Sequence, residues 1–408
     1  MTFANSRIAI IGGGIGGLAT ALSLLKSGFD VHVYEQAGEL REVGAGIVLT
    51  PNVSRLLHGL GLTAPLEHLA VAPAVVRQRR WQDGSTLLMV PVQKFVGASG
   101  EHHFYTVHRA DVLTMLADAL PPERIHLGHR LTALADKGTH VELEFANAAR
   151  ASADVVVGAD GIHSVVRGAL FGAAAPQFTG CVAYRGMVSA DRFPKSDLQV
   201  ESQLCLGPGS HFVNYPVRRR ELINFVCLVD RDAWTKESWT EPGDPAELRA
   251  IYRDWHPQVR ALVDSVTEIF VWGLFDREPL PRWSVGRVTL LGDACHPMLP
   301  FLAQGAAQAI EDGVVLTACL KGGAGDIPAA LARYETLRKP RTARIQLIAR
   351  GNRARNHLPD GPEQQARDAA MASGRAEWSI GAADWIYSYD ATKADDDYLG
   401  LPHTGLNA

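Results

Sequence analysis

The chain is poor in cysteine, and the cysteines it has are poorly arranged for either of their usual structural roles. Five are present, at positions 181, 205, 227, 295 and 319; the number is odd and no two form a C-x-x-C pair. That spacing excludes a disulfide framework and a zinc site, and it predicts a reducing, cytoplasmic location. No apolar run reaches the length of a transmembrane helix. The apolar N-terminal stretch is broken by glycines within a few residues, so it reads as a strand and not as a signal peptide. Neither sign of charge dominates: 40 Lys and Arg stand against 44 Asp and Glu, a net charge of −4. Nothing in that balance draws the chain to nucleic acid or to a membrane surface. Internal repeats and low-complexity blocks are also lacking. What remains is 408 residues, 47% of them hydrophobic, enough for two interleaved globular units.

Two glycine-bearing strand-to-helix junctions stand at opposite ends of the chain. The first follows a strand at Arg7 to Ile11: the loop Gly12-Gly13-Gly14-Ile15-Gly16-Gly17, then a helix to about Ser27 that Gly28 can end. Gly12, Gly14 and Gly17 satisfy the dinucleotide fingerprint, in which glycines allow a tight turn, close approach to a pyrophosphate and close helix packing. Glu35, after the strand Val31 to Tyr34, lies where a ribose-binding acid belongs. The second junction follows Arg287 to Leu291. It comprises Gly292-Asp293-Ala294-Cys295-His296-Pro297 and Leu302-Ala303-Gln304-Gly305-Ala306, and opens a helix to about Leu320. Asp293 can accept hydrogen bonds from a ribityl or ribose hydroxyl, and the N–H groups near Gly305 and Ala306 can stabilise an anionic ring. Two such junctions predict one extended cofactor gripped at both ends, which points to FAD. Taken alone, Asp160-Gly161 after the buried strand Ala153 to Val157 is an Asp-Gly turn; beside the fingerprint it reads as a further cofactor wall.

Between the junctions the pattern turns β-rich. Short strands flank the hairpin signal Gln82-Asp83-Gly84-Ser85. Four more runs lie between Gly180 and Val229, followed by a helix-like segment from Pro245 to Val266. The expected fold is α/β: a Rossmann-like FAD-binding domain, discontinuous over 1–72, 104–176 and 276–355. A substrate-binding mixed β-sheet occupies 73–103 and 177–275. A C-terminal helical extension covers 356–408, with a partly irregular tail from Asp390.

In its ordered motifs the chain resembles the single-component FAD-dependent aromatic hydroxylases, the class of 4-hydroxybenzoate hydroxylase. It is most similar there to salicylate hydroxylases, 3-hydroxybenzoate 6-hydroxylases and 6-hydroxynicotinate monooxygenases. The motifs run from Gly12 to Gly17, through Tyr34-Glu35-Gln36, Val43-Gly44-Ala45-Gly46-Ile47 and Val107-His108-Arg109-Ala110-Asp111, to Gly158-Ala159-Asp160-Gly161. They continue through Tyr184-Arg185-Gly186, His211 to Pro216, Asp276 to Leu280 and Gly292 to Asp312, and end with Asp384-Trp385-Ile386-Tyr387.

The resemblance implies an enzyme in which NADH or NADPH reduces FAD and O₂ gives a flavin C4a-hydroperoxide that hydroxylates a small aromatic ring. It places Glu35 and Gln36 near the adenosine ribose, Arg109 near the phosphates or ribityl, and Asp293 on the ribityl side. Gly16, Leu131 and Ala306 would give backbone contacts. It also makes His211 the base or acceptor for a substrate hydroxyl, with Tyr215 beside it on the same strand face. His296 reads as structural, Arg167 as surface or structural, Cys181 and Cys295 as buried small residues, and Trp81, Trp272 and Trp283 as core. Val48 and Phe301 stand where the 6-hydroxynicotinate enzymes carry histidines, which weakens the N-heteroaromatic reading, and the segment from Met298 to Gly305 resembles the salicylate-hydroxylase version, so a salicylate-type phenolic acid leads with the 3-hydroxybenzoate type close behind. Arg77, Arg79, Arg80, Arg185 and Arg218 are the candidates for holding a carboxylate. A flavin-binding protein without hydroxylase activity is the rival reading. No metal site is expected, and the chain is expected to act as a monomer or homodimer.

Overall fold

A computed structural model describes residues 6–40, 45–92, 104–193, 200–234, 241–323, 325–374 and 384–394. The expected Gly44 loop position and most of the polar C-terminal tail lie outside them.

Six strands form the cofactor sheet, in the order Ser284–Val285, Val288–Leu290, Val155–Gly158, Arg7–Ile11, Asp30–Tyr34, Ile125–His126. All neighbours are parallel except the first pair. Val155, Val156 and Val157 are almost wholly buried, as expected of a central parallel strand covered on both faces. Helix Ile15–Lys26 packs on this sheet, and helix Gly305–Gly322 packs on that helix. Their contact is close because Gly16 has no Cβ; one placed there would sit 2.8 Å from Ala309 Cβ.

A second sheet has seven strands, in the order Phe270–Asp276, Gln177–Ser189, Leu222–Asp230, Ser210–Val217, Glu201–Gly207, Val75–Arg80, Thr86–Pro91. It is antiparallel apart from the pairing of Glu201–Gly207 with Val75–Arg80. The Asp-Gly signal does form the hairpin between the last two strands, with Asp83 accepting from the Ser85 N–H at 2.9 Å. One face of the sheet packs Phe212, Phe225, Cys205 and Cys227 against Tyr252, Trp255 and Val259. The other face carries His211, Val213 and Tyr215, the alternation that a strand's period of two requires.

The helix-like segment after Pro245 is two helices, Pro245–Tyr252 and Pro257–Ser265. Pro257 cannot donate an N–H into a continuing helix, so it starts a new one. The His256 N–H instead donates to Trp81 O at 2.7 Å. A 30-residue helix, Ile327–Asn356, then runs from the cofactor sheet to the seven-stranded sheet. Helix Pro362–Ala372 follows and lies on strand Thr86–Pro91, with Met371 among Leu87 and Leu206.

Candidate active site

Strand Arg7–Ile11 delivers the first glycine loop to the carboxyl edge of the cofactor sheet. Gly12 has φ 111°, and a Cβ there would strike the Ala159 carbonyl; one on Gly17 would strike the Gly12 carbonyl. The loop is therefore as tight as glycine permits. Gly14 caps helix Ile15–Lys26 with no side-chain hydrogen bond and no acid in the first turn. The unpaired N–H groups of that turn suit an anion. Glu35 braces the loop, its Oε2 accepting from the Gly13 N–H at 2.6 Å and its Oε1 from the Ala37 N–H at 2.8 Å. Gln36 is exposed beside it.

The second junction meets the first across one cavity of about 750 Å³. Gly14 and Gly16 line it at one end, and Arg109, Asp293, Gly305 and Ala306 also lie on its wall. Helix Gly305–Gly322 again has neither a side-chain cap nor an early acid. Asp293 is exposed on the cavity wall, and the protein packed around it pushes its pKa up, against the opposing pull of His296 and Arg109. Two uncapped helix N-termini, a glycine cradle and a carboxylate on one elongated cavity fit a dinucleotide bearing a pyrophosphate and an anionic ring system.

Other residues expected near the cofactor stand off the cavity wall. Gly12, Gly17 and Glu35 shape the loop. Leu131 is buried in the hydrophobic core at the start of strand Leu131–Asp136. Asp160 accepts from Ser164 Oγ at 2.5 Å and from the N–H groups of Val165 and Val166, capping helix Val165–Phe171, while Ala159 and Gly161 line the cavity. Arg167 is buried and reaches the Ala174 carbonyl at 3.5 Å.

Behind the second junction lies a buried charged network. Asp312 accepts from the Gly292 N–H at 3.1 Å and from Arg338 Nε at 2.7 Å, and its Oδ2 lies 2.6 Å from His296 Nε2. Glu311 accepts from Arg338, Arg341 and Asn52. Cys295, His296 and Asp312 are close enough to hold an ion, but both Asp312 oxygens are spent on these partners, so the group serves as a brace for the Gly292-Asp293 turn. Arg341 also donates to the carbonyls of Trp385 and Ile386, which brings the late Asp384–Tyr387 segment onto the cavity wall.

The other end of the cavity is walled by the seven-stranded sheet, through Val76, Gln78, Ser202, Leu204, Val226 and Leu228, together with His211, Val213 and Tyr215. Val48 and Phe301 are there too. His211 Nδ1 lies 2.7 Å from His357 Nε2. Burial, and then His357, push the His211 pKa well below its ordinary value, so the ring is neutral. Burial drives the Tyr215 pKa up, so that phenol keeps its proton. Of the five expected arginines only Arg185 reaches the cavity, its guanidinium 4.4 Å from the centroid of Trp272. Trp272 is thus a cavity wall and not core. Arg77 is bidentate to Glu201, Arg79 donates to Gly84 O, Arg80 pairs with Asp368 and Arg218 with Asp111. Two wall residues carried no sequence signal: Arg355, whose pKa burial and Arg367 lower to about 10, and Asn352.

A cofactor cleft opening into a largely apolar chamber defines a flavoprotein acting on a small molecule. Residues 5–347 match the family described as FAD binding domain, and the chain belongs to that family. It is 40% identical over 389 residues to 3-amino-4-hydroxybenzoate 2-monooxygenase PtmB3 of Streptomyces platensis, covering 94% of this chain and 96% of that one. It is 38% identical to 6-hydroxynicotinate 3-monooxygenase of Pseudomonas fluorescens, covering 85% and 91%. A salicylate hydroxylase solved as a substrate complex superposes with a TM-score of 0.81 at 28% identity, covering 98% of this chain and 100% of that one. The protein is an FAD-dependent aromatic monooxygenase. Among the described residues no helix is long and apolar enough to cross a membrane.

Proposed function

We propose that this enzyme hydroxylates a monocyclic benzoic acid bearing a ring hydroxyl, with a reduced nicotinamide and O₂ as co-substrates and salicylate as the first substrate to try. One observation carries the reading: a neutral, buried histidine, His211, stands on the wall of an apolar chamber that also bears Arg185. A phenol is activated by losing its proton to such a base, since the phenolate pushes electron density into the ring. The carboxylate of the same ring needs a cation, and Arg185 over Trp272 offers a planar, charge-assisted donor set.

Glycines 14 and 16, Arg109, Asp293 and the start of helix Gly305–Gly322 would hold FAD, which supplies the redox and oxygen chemistry when bound. The protein's own part is to orient the ring, exclude water and hold the proton. His211 takes the hydroxyl proton, Tyr215 stays protonated and can donate to a ring substituent, and the leucines and valines of the sheet keep the chamber dry. The similarity to a 3-amino-4-hydroxybenzoate enzyme supports the hydroxybenzoate class. Val48 and Phe301 make the chamber too apolar to favour a hydroxypyridine acid.

The test is NADH-dependent oxygen uptake by FAD-loaded protein with salicylate, 3-hydroxybenzoate, 3-amino-4-hydroxybenzoate and 6-hydroxynicotinate, each product identified by mass. Catechol from salicylate establishes decarboxylative hydroxylation. Product from another hydroxybenzoate keeps the class and moves the substituents. Product from 6-hydroxynicotinate alone overturns the hydroxybenzoate reading.

A further inference from the structure

His211 does not stand alone. Its Nδ1 is 2.7 Å from Nε2 of His357, and Nδ1 of His357 is 2.7 Å from Oδ1 of Asp230. The two histidines are buried, 2% and 5% exposed, while the Asp230 side chain is 36% exposed. A continuous line of hydrogen-bonding atoms therefore joins the chamber wall to solvent. The residues come from strand Ser210–Val217, from the position after helix Ile327–Asn356 and from the end of strand Leu222–Asp230. Main-chain bonds fix them: the Gly209 N–H donates to His357 O at 3.0 Å, and the Asp230 N–H to Gly209 O at 2.8 Å.

The order of donors follows from Asp230. An ionised carboxylate only accepts, so His357 must carry its proton on Nδ1. When His357 carries that one ring proton, its Nε2 is bare and accepts from a proton on His211 Nδ1. That leaves His211 Nε2 bare, and among the described residues no protein group bonds to it. Burial acts to raise the Asp230 pKa, but hydrogen bonds from His357 and Arg353 outweigh it and hold the carboxyl below its ordinary value. Arg353, on the long helix, is the cation facing this carboxylate, its Nε 2.8 Å away.

We propose that His357 and Asp230 are positioning residues that set the tautomer of His211 and conduct to solvent the proton that His211 takes from the substrate hydroxyl. The inference rests on the phenolic-acid reading above. In the step, the substrate O–H breaks and an N–H forms at His211 Nε2. The Nδ1 proton of His211 passes to His357 Nε2, and the Nδ1 proton of His357 passes through Asp230 to water. One proton leaves the ring, one reaches solvent, no electron moves, and a phenolate remains. Reverse passage returns a proton to the product and restores the starting tautomers.

The tautomers are read without turnover, on full-length FAD-loaded protein labelled with [15N]histidine. Two-bond proton–nitrogen spectra at pH 7.5 are assigned with His211→Gln and His357→Gln. Both rings should be protonated at Nδ1, and Asp230→Asn should shift protonation of both towards Nε2. His211 protonated at Nε2 in the wild type overturns the proposal. In turnover with a hydroxybenzoate, Asp230→Asn should lower kcat by about 10–100-fold, a share of what general base catalysis supplies. KM and FAD affinity should stay within about threefold, and Asp230→Glu should restore most of the rate. An unchanged kcat and pH profile in Asp230→Asn overturns the relay. Absence of stimulation by any aromatic acid in the wild type instead sinks the substrate reading, and the spectra still decide the tautomer claim.

Discussion

Arg338 and Glu311 form an ion pair of 2.7 Å in which neither side chain has any solvent exposure. Arg338 also serves Asp312 at 2.7 Å and Gln308 at 2.7 Å. Removing one partner of such a group strands buried charge, a change that costs about 3–5 kcal/mol. Arg338→Met is therefore expected to lower unfolding stability by that order in urea titration. It should also loosen FAD, because Asp312 holds the Gly292 N–H. Arg338→Lys should rescue little, since one ammonium cannot match the guanidinium's geometry toward three acceptors.

Strand Gly46–Leu49 touches the seven-stranded sheet at Gly46. Its N–H donates to Asn224 Oδ1 at 2.6 Å, and a Cβ there would lie 2.6 Å from Tyr215 Cε2 and 2.7 Å from Asn224 Cγ. Gly46→Ala should displace Tyr215 and cut kcat/KM on the order of 10²-fold, the cost of a 1 Å misplacement at a reacting centre. FAD absorbance per protein should stay near wild type. Loss of FAD with unchanged specific activity per flavin would contradict the assignment.

If Arg185 holds the substrate carboxylate, Arg185→Met removes a charge-assisted hydrogen bond of about 1.5–3 kcal/mol. KM for the aromatic acid should rise about 10–100-fold, with a smaller change in kcat. An unchanged KM would transfer the role to Arg355, for which the same substitution is then the decisive measurement.

His211 has a folded-state pKa below its unfolded value, by burial first and then by His357. As pH falls below about 6.5, the unfolded chain takes up a proton that the folded chain refuses, so stability drops with acid. His32 and His126, also lowered chiefly by burial, act with the same sign. Between pH 7.5 and 5.5 the urea midpoint should fall. His211→Gln should flatten the dependence by at most about 1.4 kcal/mol per pH unit, the limit for one proton.

Local chemistry was legible in the sequence; long-range pairing was not. Gly12 to Gly17 and Glu35 announce a dinucleotide loop because strand, turn and helix are consecutive. The loop at Gly292 and the helix after Gly305 are readable for the same reason. His211 and Tyr215 stood out only through likeness to a family, since a histidine on a half-buried strand has no intrinsic signal. His357 lies 146 residues away from its partner His211, and no periodicity links them. Arg355 and Asn352 sit on helix Ile327–Asn356, where no local motif marks them as facing a chamber. The break at Pro257 had a signal in the proline itself, which the long helix-like span outweighed. Trp272 was read as core because sequence cannot separate a filled interior from the wall of a chamber.

Helix Ile327–Asn356 carries Arg338 in its first half and delivers His357 just past its C-terminal end. At 1.5 Å per residue, those nineteen positions span about 28 Å and at 100° each fix a rotational phase. The helix is therefore a gauge block between the brace of the Gly292-Asp293 turn and the histidine pair proposed to handle the substrate proton. A residue inserted or deleted between them would swing His357 about 100° off Asp230 while leaving Arg338 seated. The length of this helix, and not only its side chains, is what any segment exchanged into this chain has to preserve.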